Sequence, residues 1–361
     1  MPSKAAGVGL TARDRFAGLP IETLLDIIQY VTFGAIGLLV LIVALIVLLM
    51  IVAFVADSLG LLNPYKEQHK GHRKRAKAGK GLGINELARR LGMEVDELKR
   101  FDPSYTRTSI PKKRGGQRTL HVPNDKTKQL QRRILRLLLK GLKTHEAATG
   151  FEPGKSIAHN AAAHVGQAVV IKMDIKDFFS ETADQRVEQY FRRVGWDAEC
   201  AALLARLVTY KGGLPQGAPT SPRLSNLVNY VLDCQIQRYV ERRQGTYTRY
   251  ADDITVSYPE DRPKAVRGTL QTVRRVCRRH GYTVHMRGKL RILRRHQQQR
   301  VTGLVVNDKV QLTREKRRWL RAVKHRMETT GKATITEEQL AGWLALERMI
   351  EQQTSEDKAD P

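Results

Sequence analysis

The chain has 361 residues, enough for one large enzyme-sized domain or two small ones. Its three cysteines, Cys200, Cys234 and Cys277, are too few and too scattered for a disulfide framework or a zinc knuckle, which suits a reducing compartment. Lys and Arg number 63 against 36 Asp and Glu, and the net charge of +27 is spread along the chain; the field favours a polyanion, with nucleic acid ahead of anionic lipid or a ribosome.

Residues 1–30 read as an N-terminal tail. Residues 31–56 then run 26 positions without a charge and with one clearly polar side chain, Thr32, which is long enough for a single transmembrane helix; a buried core helix is the alternative. A cleaved signal peptide is disfavoured by that length and by Arg13, Asp14, Arg15 and Glu22 ahead of it. Pro64 ends the apolar stretch, and Lys66, Lys70, Arg73, Lys74, Arg75, Lys77 and Lys80 follow, so the positive-inside bias places the C-terminal part in the cytoplasm and the N-terminus outside. Residues 57–83 form a basic linker, either a solvated tether or a contact to lipid headgroups or RNA.

Leu87, Leu91, Val95 and Leu98 recur at near-helical spacing and Gly92 interrupts them, which predicts a two-helix adaptor over residues 84–104. Residues 109–123 predict two short strands about Gly115-Gly116, followed by a helix through Leu130, Ile134 and Leu138. Residues 167–175 and 247–258 are further strand candidates, and residues 183–193, 198–210, 221–242 and 264–279 read as helices. A basic helix over 313–327 mixes Arg317 and Arg321 with Trp319, Leu320 and Val323, a pattern suited to packing on one side and tracking a phosphate backbone on the other. Thr336-Glu337-Glu338-Gln339 predicts a capping box that opens a last helix through Trp343 and Leu346, and residues 351–361 read as a disordered tail. The mixture predicts an α+β fold.

Three segments carry chemistry. Val169-Val170-Ile171-Lys172-Met173-Asp174 is an apolar strand that ends by delivering a carboxylate, and Tyr250-Ala251-Asp252-Asp253 sets two more at a hairpin tip. Between them lies Gly213-Leu214-Pro215-Gln216-Gly217, a loop that permits close backbone approach and opens a helix. Two hard divalent cations need oxygen ligands from more than one segment, so converging carboxylates suit metal-assisted phosphoryl transfer; Asp252-Asp253 alone would equally suit an ordinary turn.

The order and wording of these segments resemble the palm of reverse transcriptases, in particular the bacterial retron type, over roughly residues 84–350. The resemblance implies a right-hand polymerase with fingers and an antiparallel palm sheet over residues 105–300 and a thumb over 301–350. It implies two Mg²⁺ ions, with Mn²⁺ as the alternative, held by Asp174, Asp252 and Asp253, with Ile175 beside Asp174 in the metal set. Gln216 matches the glutamine beside the incoming deoxynucleoside triphosphate, and Phe179, five residues after Asp174, matches the aromatic gate that excludes a 2′-hydroxyl. Lys112 and Arg118 are similar to the cations of the fingers hairpin, and Lys289 to a lysine that approaches the triphosphate.

Asn160-Ala161-Ala162-Ala163-His164 and Val301-Thr302-Gly303 match two retron signatures. Asn160, His164, Val301, Thr302 and Gly303, with Arg317 and Arg321, therefore form the expected RNA-contacting set, His164 having a structural role as its alternative. The family copies a dedicated noncoding RNA into a branched RNA–DNA molecule and is associated with anti-phage defence. The apolar segment lies outside the resemblance and implies an inner-membrane location, coupling to membrane sensing, and an effector protein or homo-oligomer as partner. The alternatives are another bacterial reverse transcriptase, from an intron or a defence system, and a membrane-tethered RNA-binding scaffold with an idle polymerase fold.

Overall fold

The computed structural model describes residues 81–111, 115–331 and 333–356, together with three helical and exposed positions, Ile42, Leu45 and Leu48. The chain divides into two units, Met1–Asn63 and Pro64–Pro361. Apart from those three positions, the tail over 1–30, the apolar segment 31–56 and residues 57–80 of the linker lie outside the described residues. Among the described residues, no helix is long and apolar enough to cross a membrane.

The described part of the second unit begins with α1 (Ile84–Leu91) and α2 (Val95–Arg100), separated by Gly92 at φ +58, a left-handed cap that glycine reaches without steric cost. Residues 81–83 are not slack linker: Leu82 exchanges backbone hydrogen bonds with Gly195 and Asp197. The predicted hairpin is β1 (Tyr105–Pro111) paired antiparallel with β2 (Gln117–Pro123), and both Gly115 and Gly116 at its tip have positive φ. The following helix, α3 (Asp125–Ile134), widens into a π turn over Leu135–Leu139. Leu87, Leu91 and Leu98 share one core with Ile134, Leu139, Phe191 and Leu204, so the adaptor is part of the fingers layer rather than a separate module.

A short helix, α4 (Ile157–Ala162), leads into β3 (Val169–Asp174), and α5 (Asp184–Arg193) and α6 (Ala198–Val208) follow. The predicted helix over 221–242 is two, α7 (Ser221–Val228) and α8 (Tyr230–Glu241). The break falls at Asn229, whose amide donates to the Ser225 carbonyl and the Tyr282 hydroxyl and whose Oδ1 accepts from Arg186, all within 2.9 Å. Next come β4 (Thr246–Tyr250), β5 (Asp253–Tyr258), α9 (Pro263–Arg279) and β6 (Arg291–Arg294), the last an element the periodicity does not announce. The palm sheet has strand order β4-β5-β3-β6 with every pair antiparallel. Helices cover one face of it through Leu232, Ile236, Val266 and Val273, packed on Ile171, Met173, Ile254 and Val256.

The C-terminal layer holds a minimal hairpin, β7 (Arg300–Val301) and β8 (Leu304–Val305), then α10 (Arg314–Thr330) and α11 (Glu337–Glu356). Thr336 and Gln339 exchange reciprocal hydrogen bonds at 3.2 and 3.3 Å, the expected capping box. The tail reading over 351–361 is corrected in its first half, since α11 runs to Glu356; its apolar face is anchored by Leu340 and by Ile350, which belongs to the same core as Leu320 and Val323.

Candidate active site

Strand register brings the carboxylates together. Asp174, the last residue of β3, stands opposite Asp253, the first of β5, and the β4–β5 turn delivers Asp252 to the same end of the sheet, where the Ile175 N–H donates to its carbonyl at 2.9 Å. Asp174 is 8% exposed; its Oδ1 accepts from the Lys289 ammonium at 2.6 Å and lies 3.7 Å from His285 Nε2. Burial, then the charges of Asp253 and Asp174, push Asp252 up to about 6, and burial likewise raises Asp253. Among the described residues no three His, Cys, Asp or Glu side chains are already drawn into a metal cage. The donor chemistry nonetheless fits a divalent cation: hard carboxylate oxygens, half dried and mutually repelling, are offered from two strands at one sheet end. The Ile175 side chain is buried in the palm core, so only its carbonyl could join such a set.

A fully buried ion pair holds the turn that carries Asp252. Arg249 donates from Nε and a terminal nitrogen to the two oxygens of Asp233 at 2.7 and 2.6 Å, and its other terminal nitrogen reaches Asn226 Oδ1 at 3.2 Å and the Ala251 carbonyl at 3.1 Å. Tyr247 donates to the same Asp233 carboxylate at 2.6 Å. Burial works against the guanidinium charge, and Asp233 more than offsets it, so the pKa of Arg249 is raised. No sequence motif marks Arg249; the available signal is a lone arginine within the strand candidate over 247–258, because a charge buried there needs a partner.

The remaining candidates separate into exposed and buried groups. Phe178 is packed in the core against Tyr282 while Phe179, 5.5 Å from it, is half-buried. Gln216 is half-buried and its carbonyl accepts from the His121 N–H at 2.8 Å, which ties the palm loop to β2 of the fingers hairpin. Arg118 is exposed on β2; Lys112 lies outside the described residues. Arg317 and Arg321 are exposed on α10, one helical turn apart.

Burial corrects three members of the expected RNA-contacting set. Asn160, His164 and Val301 are at most 1% exposed, which leaves their side chains no surface to offer a nucleic acid. Asn160 Oδ1 accepts from the Thr149 hydroxyl at 2.6 Å. His164 bonds Ser257 Oγ through Nδ1 at 2.7 Å and Thr248 Oγ1 through Nε2 at 2.8 Å, which clamps β5 to β4, and burial pushes its imidazole down to about 3. Thr302 donates to the Ile157 carbonyl at 2.8 Å, and Val301 packs in one core with Ala158 and Ala161. The two signatures therefore meet each other across the root of the C-terminal layer. Thr302 and Gly303, both left-handed, form the turn of that small hairpin.

A family model described as reverse transcriptase (RNA-dependent DNA polymerase) matches residues 110–306. A second, the LysM-like domain of the lytic transglycosylase MltD, matches residues 75–134, the stretch that holds α1, α2 and the fingers hairpin. The chain is 36% identical over 297 residues to the Retron Mx65 reverse transcriptase of Myxococcus xanthus, covering 75% of this chain and 69% of that protein. It is 36% identical over 282 residues to the Retron Mx162 reverse transcriptase of the same organism, where it spans 58% of the relative's length and 68% of this chain is covered. Against the Retron Ec86 reverse transcriptase of Escherichia coli the identity is 35% over 236 residues, covering 65% of this chain and 72% of that protein. The family model spans more than half of the chain, including both carboxylate segments, and the chain belongs to the retron-type reverse transcriptases, the RNA-directed DNA polymerases of that kind.

Proposed function

We propose that this polymerase copies a dedicated noncoding RNA into a branched RNA–DNA product, using Asp174, Asp252 and Asp253 to hold two divalent ions, Mg²⁺ or alternatively Mn²⁺. The observation that carries the site assignment is the register pairing of Asp174 with Asp253, beside the Ile175 to Asp252 hydrogen bond. Bound there, the ions would activate the primer hydroxyl and stabilise the leaving pyrophosphate.

The chain's own residues do the rest. Asp252 and Asp253 prefer a cation to their mutual repulsion, and Arg249 keeps the Asp252 turn from shifting by gripping the Ala251 carbonyl. Lys289 holds its ammonium on Asp174, and its flexible stem lets that charge follow a triphosphate oxygen once nucleotide enters. Phe179, half-exposed, serves as the gate beneath the sugar, where a ring excludes a 2′-hydroxyl. Gln216, pinned to the fingers through its carbonyl, lies beside the nucleotide, and Arg118, with Lys112, neutralises its phosphates. Arg317 and Arg321 track the backbone of the template–primer hybrid. The apolar segment over 31–56 anchors the enzyme in the inner membrane, with its catalytic unit in the cytoplasm, and couples it to anti-phage defence through an effector or a second copy.

Changing Asp252→Asn together with Asp253→Asn is expected to abolish complementary-DNA formation while leaving the thermal transition of the protein in place. Normal synthesis by that double variant would refute the site assignment.

A further inference from the structure

Phe151 combines three properties that ordinary packing does not bring together. Its backbone is left-handed, φ +64, a conformation that costs a bulky residue on the order of 1–3 kcal/mol. The residue is 45% exposed, so burial does not offset that cost; among the described residues it is the only phenylalanine left so far in solvent. The ring stands beside the catalytic end of the sheet, with its centroid 6.1 Å from Phe179 and 6.2 Å from Tyr250, the residue two before Asp252.

The neighbours of Phe151 hold it there. Asn226 donates to the Gly150 carbonyl at 2.7 Å and to Glu152 Oε1 at 2.8 Å, and Arg223 pairs with the other Glu152 oxygen. Gly150 lies so close to the Asp252 turn that a Cβ there would meet the Ala251 nitrogen at 2.8 Å. Thr149 N–H donates to the Arg249 carbonyl at 2.9 Å, making the segment an extension of the palm edge. Both flanks are therefore locked, and what they present is an exposed aromatic residue beside Tyr250 and the turn that bears Asp252. Strain retained at an exposed ring points to a ligand for that ring.

We infer that Phe151 is a positioning residue for the nucleic acid: with Phe179 and Tyr250 it forms an aromatic floor that supports the sugar–base face of the last base pair of the template–primer hybrid, next to the nucleotide seated over Phe179. The inference rests on the polymerase site proposed above. An aromatic ring suits this task because every nucleotide offers an apolar sugar–base face, so support of the end of the hybrid does not depend on sequence.

The test uses the full chain and a synthetic RNA template annealed to a DNA primer, read by hybrid dissociation constant and single-nucleotide addition. Phe151→Gly removes the ring and the left-handed penalty together, so the melting temperature should hold or rise while the dissociation constant for the hybrid rises about tenfold. Phe151→Asn, another residue at ease in that conformation, should behave alike, and Phe151→Tyr should restore binding. Hybrid affinity within twofold of the parent in both the Gly and Asn variants would overturn the inference, as would weakened binding that merely follows a loss of folded protein. Asp252→Asn runs alongside, expected to bind hybrid normally and not extend it. If it extends, the underlying site reading fails; if it is inactive while the Phe151 variants bind normally, only the present inference fails.

Discussion

Arg249→Met removes the cation that joins the palm core to the catalytic turn. Arg249 and Asp233 are both fully buried, and the change takes away two hydrogen bonds to Asp233, one to Asn226 and one to the Ala251 carbonyl. Asp233 is left with Tyr247 as donor in a site that water does not reach. Removing one partner of a buried pair costs about 3–5 kcal/mol, because the remaining charge has lost its compensation. For a unit of this size that corresponds to a fall in melting temperature on the order of 10 °C, measurable by scanning fluorimetry or calorimetry. The double variant Arg249→Met with Asp233→Leu removes both charges and should recover most of that stability, since apolar replacement of a whole buried pair is often close to neutral. Single-nucleotide incorporation should nevertheless stay roughly tenfold or more below the parent, because the Ala251 carbonyl has lost its donor and the turn bearing Asp252 is no longer held in place. A parental melting temperature for Arg249→Met, or a parental incorporation rate for the double variant, would refute the reasoning.

His164 predicts a pH dependence of stability. Its folded pKa is about 3 and its unfolded value about 6.5, so the unfolded chain takes the proton first; the contribution is complete above pH 6.5 and is lost as pH falls toward 3, at up to about 1.4 kcal/mol per pH unit. In urea titrations His164→Gln should therefore lose about 1 kcal/mol less than the parent between pH 6.5 and 5.5, and identical losses would exclude the buried neutral imidazole as the cause. Deleting residues 1–64 should leave template-directed DNA synthesis intact while removing membrane fractionation and phage protection; retention of both synthesis and protection would dispose of the proposed membrane role.

Much of the catalytic end was legible because it is built from local rules. An apolar run that finishes in aspartate reads as a strand delivering a carboxylate, and β3 ends on Asp174 opposite Asp253, the residue that begins β5. The Gly-Gly hairpin tip and the Thr336 capping box each depend on a few neighbouring residues, and each formed where expected. Failures occurred where distant groups decide. At the Asn229 break the side-chain amide is held at both ends by groups far away in sequence, Arg186 on its oxygen and Tyr282 on its nitrogen. The strand β6 has only four residues and exists because β3 offers an edge. The two short signatures looked like a ligand surface, yet Asn160, His164 and Val301 are buried and Val301 packs with Ala158 and Ala161, which spacing along the chain does not reveal.

From the sequence alone came the α+β class, the carboxylates and their order, the basic character that suits a polyanion, and the apolar segment before the polymerase unit. Tertiary structure decided which side chains stay in reach of a ligand: it buried His164 and Asn160, placed Lys289 on Asp174, locked Arg249 beneath the turn, and left Phe151 strained and exposed. The physical reason is that periodicity and turn chemistry act over a few residues, whereas burial and ion pairing depend on segments that meet only when the chain has folded.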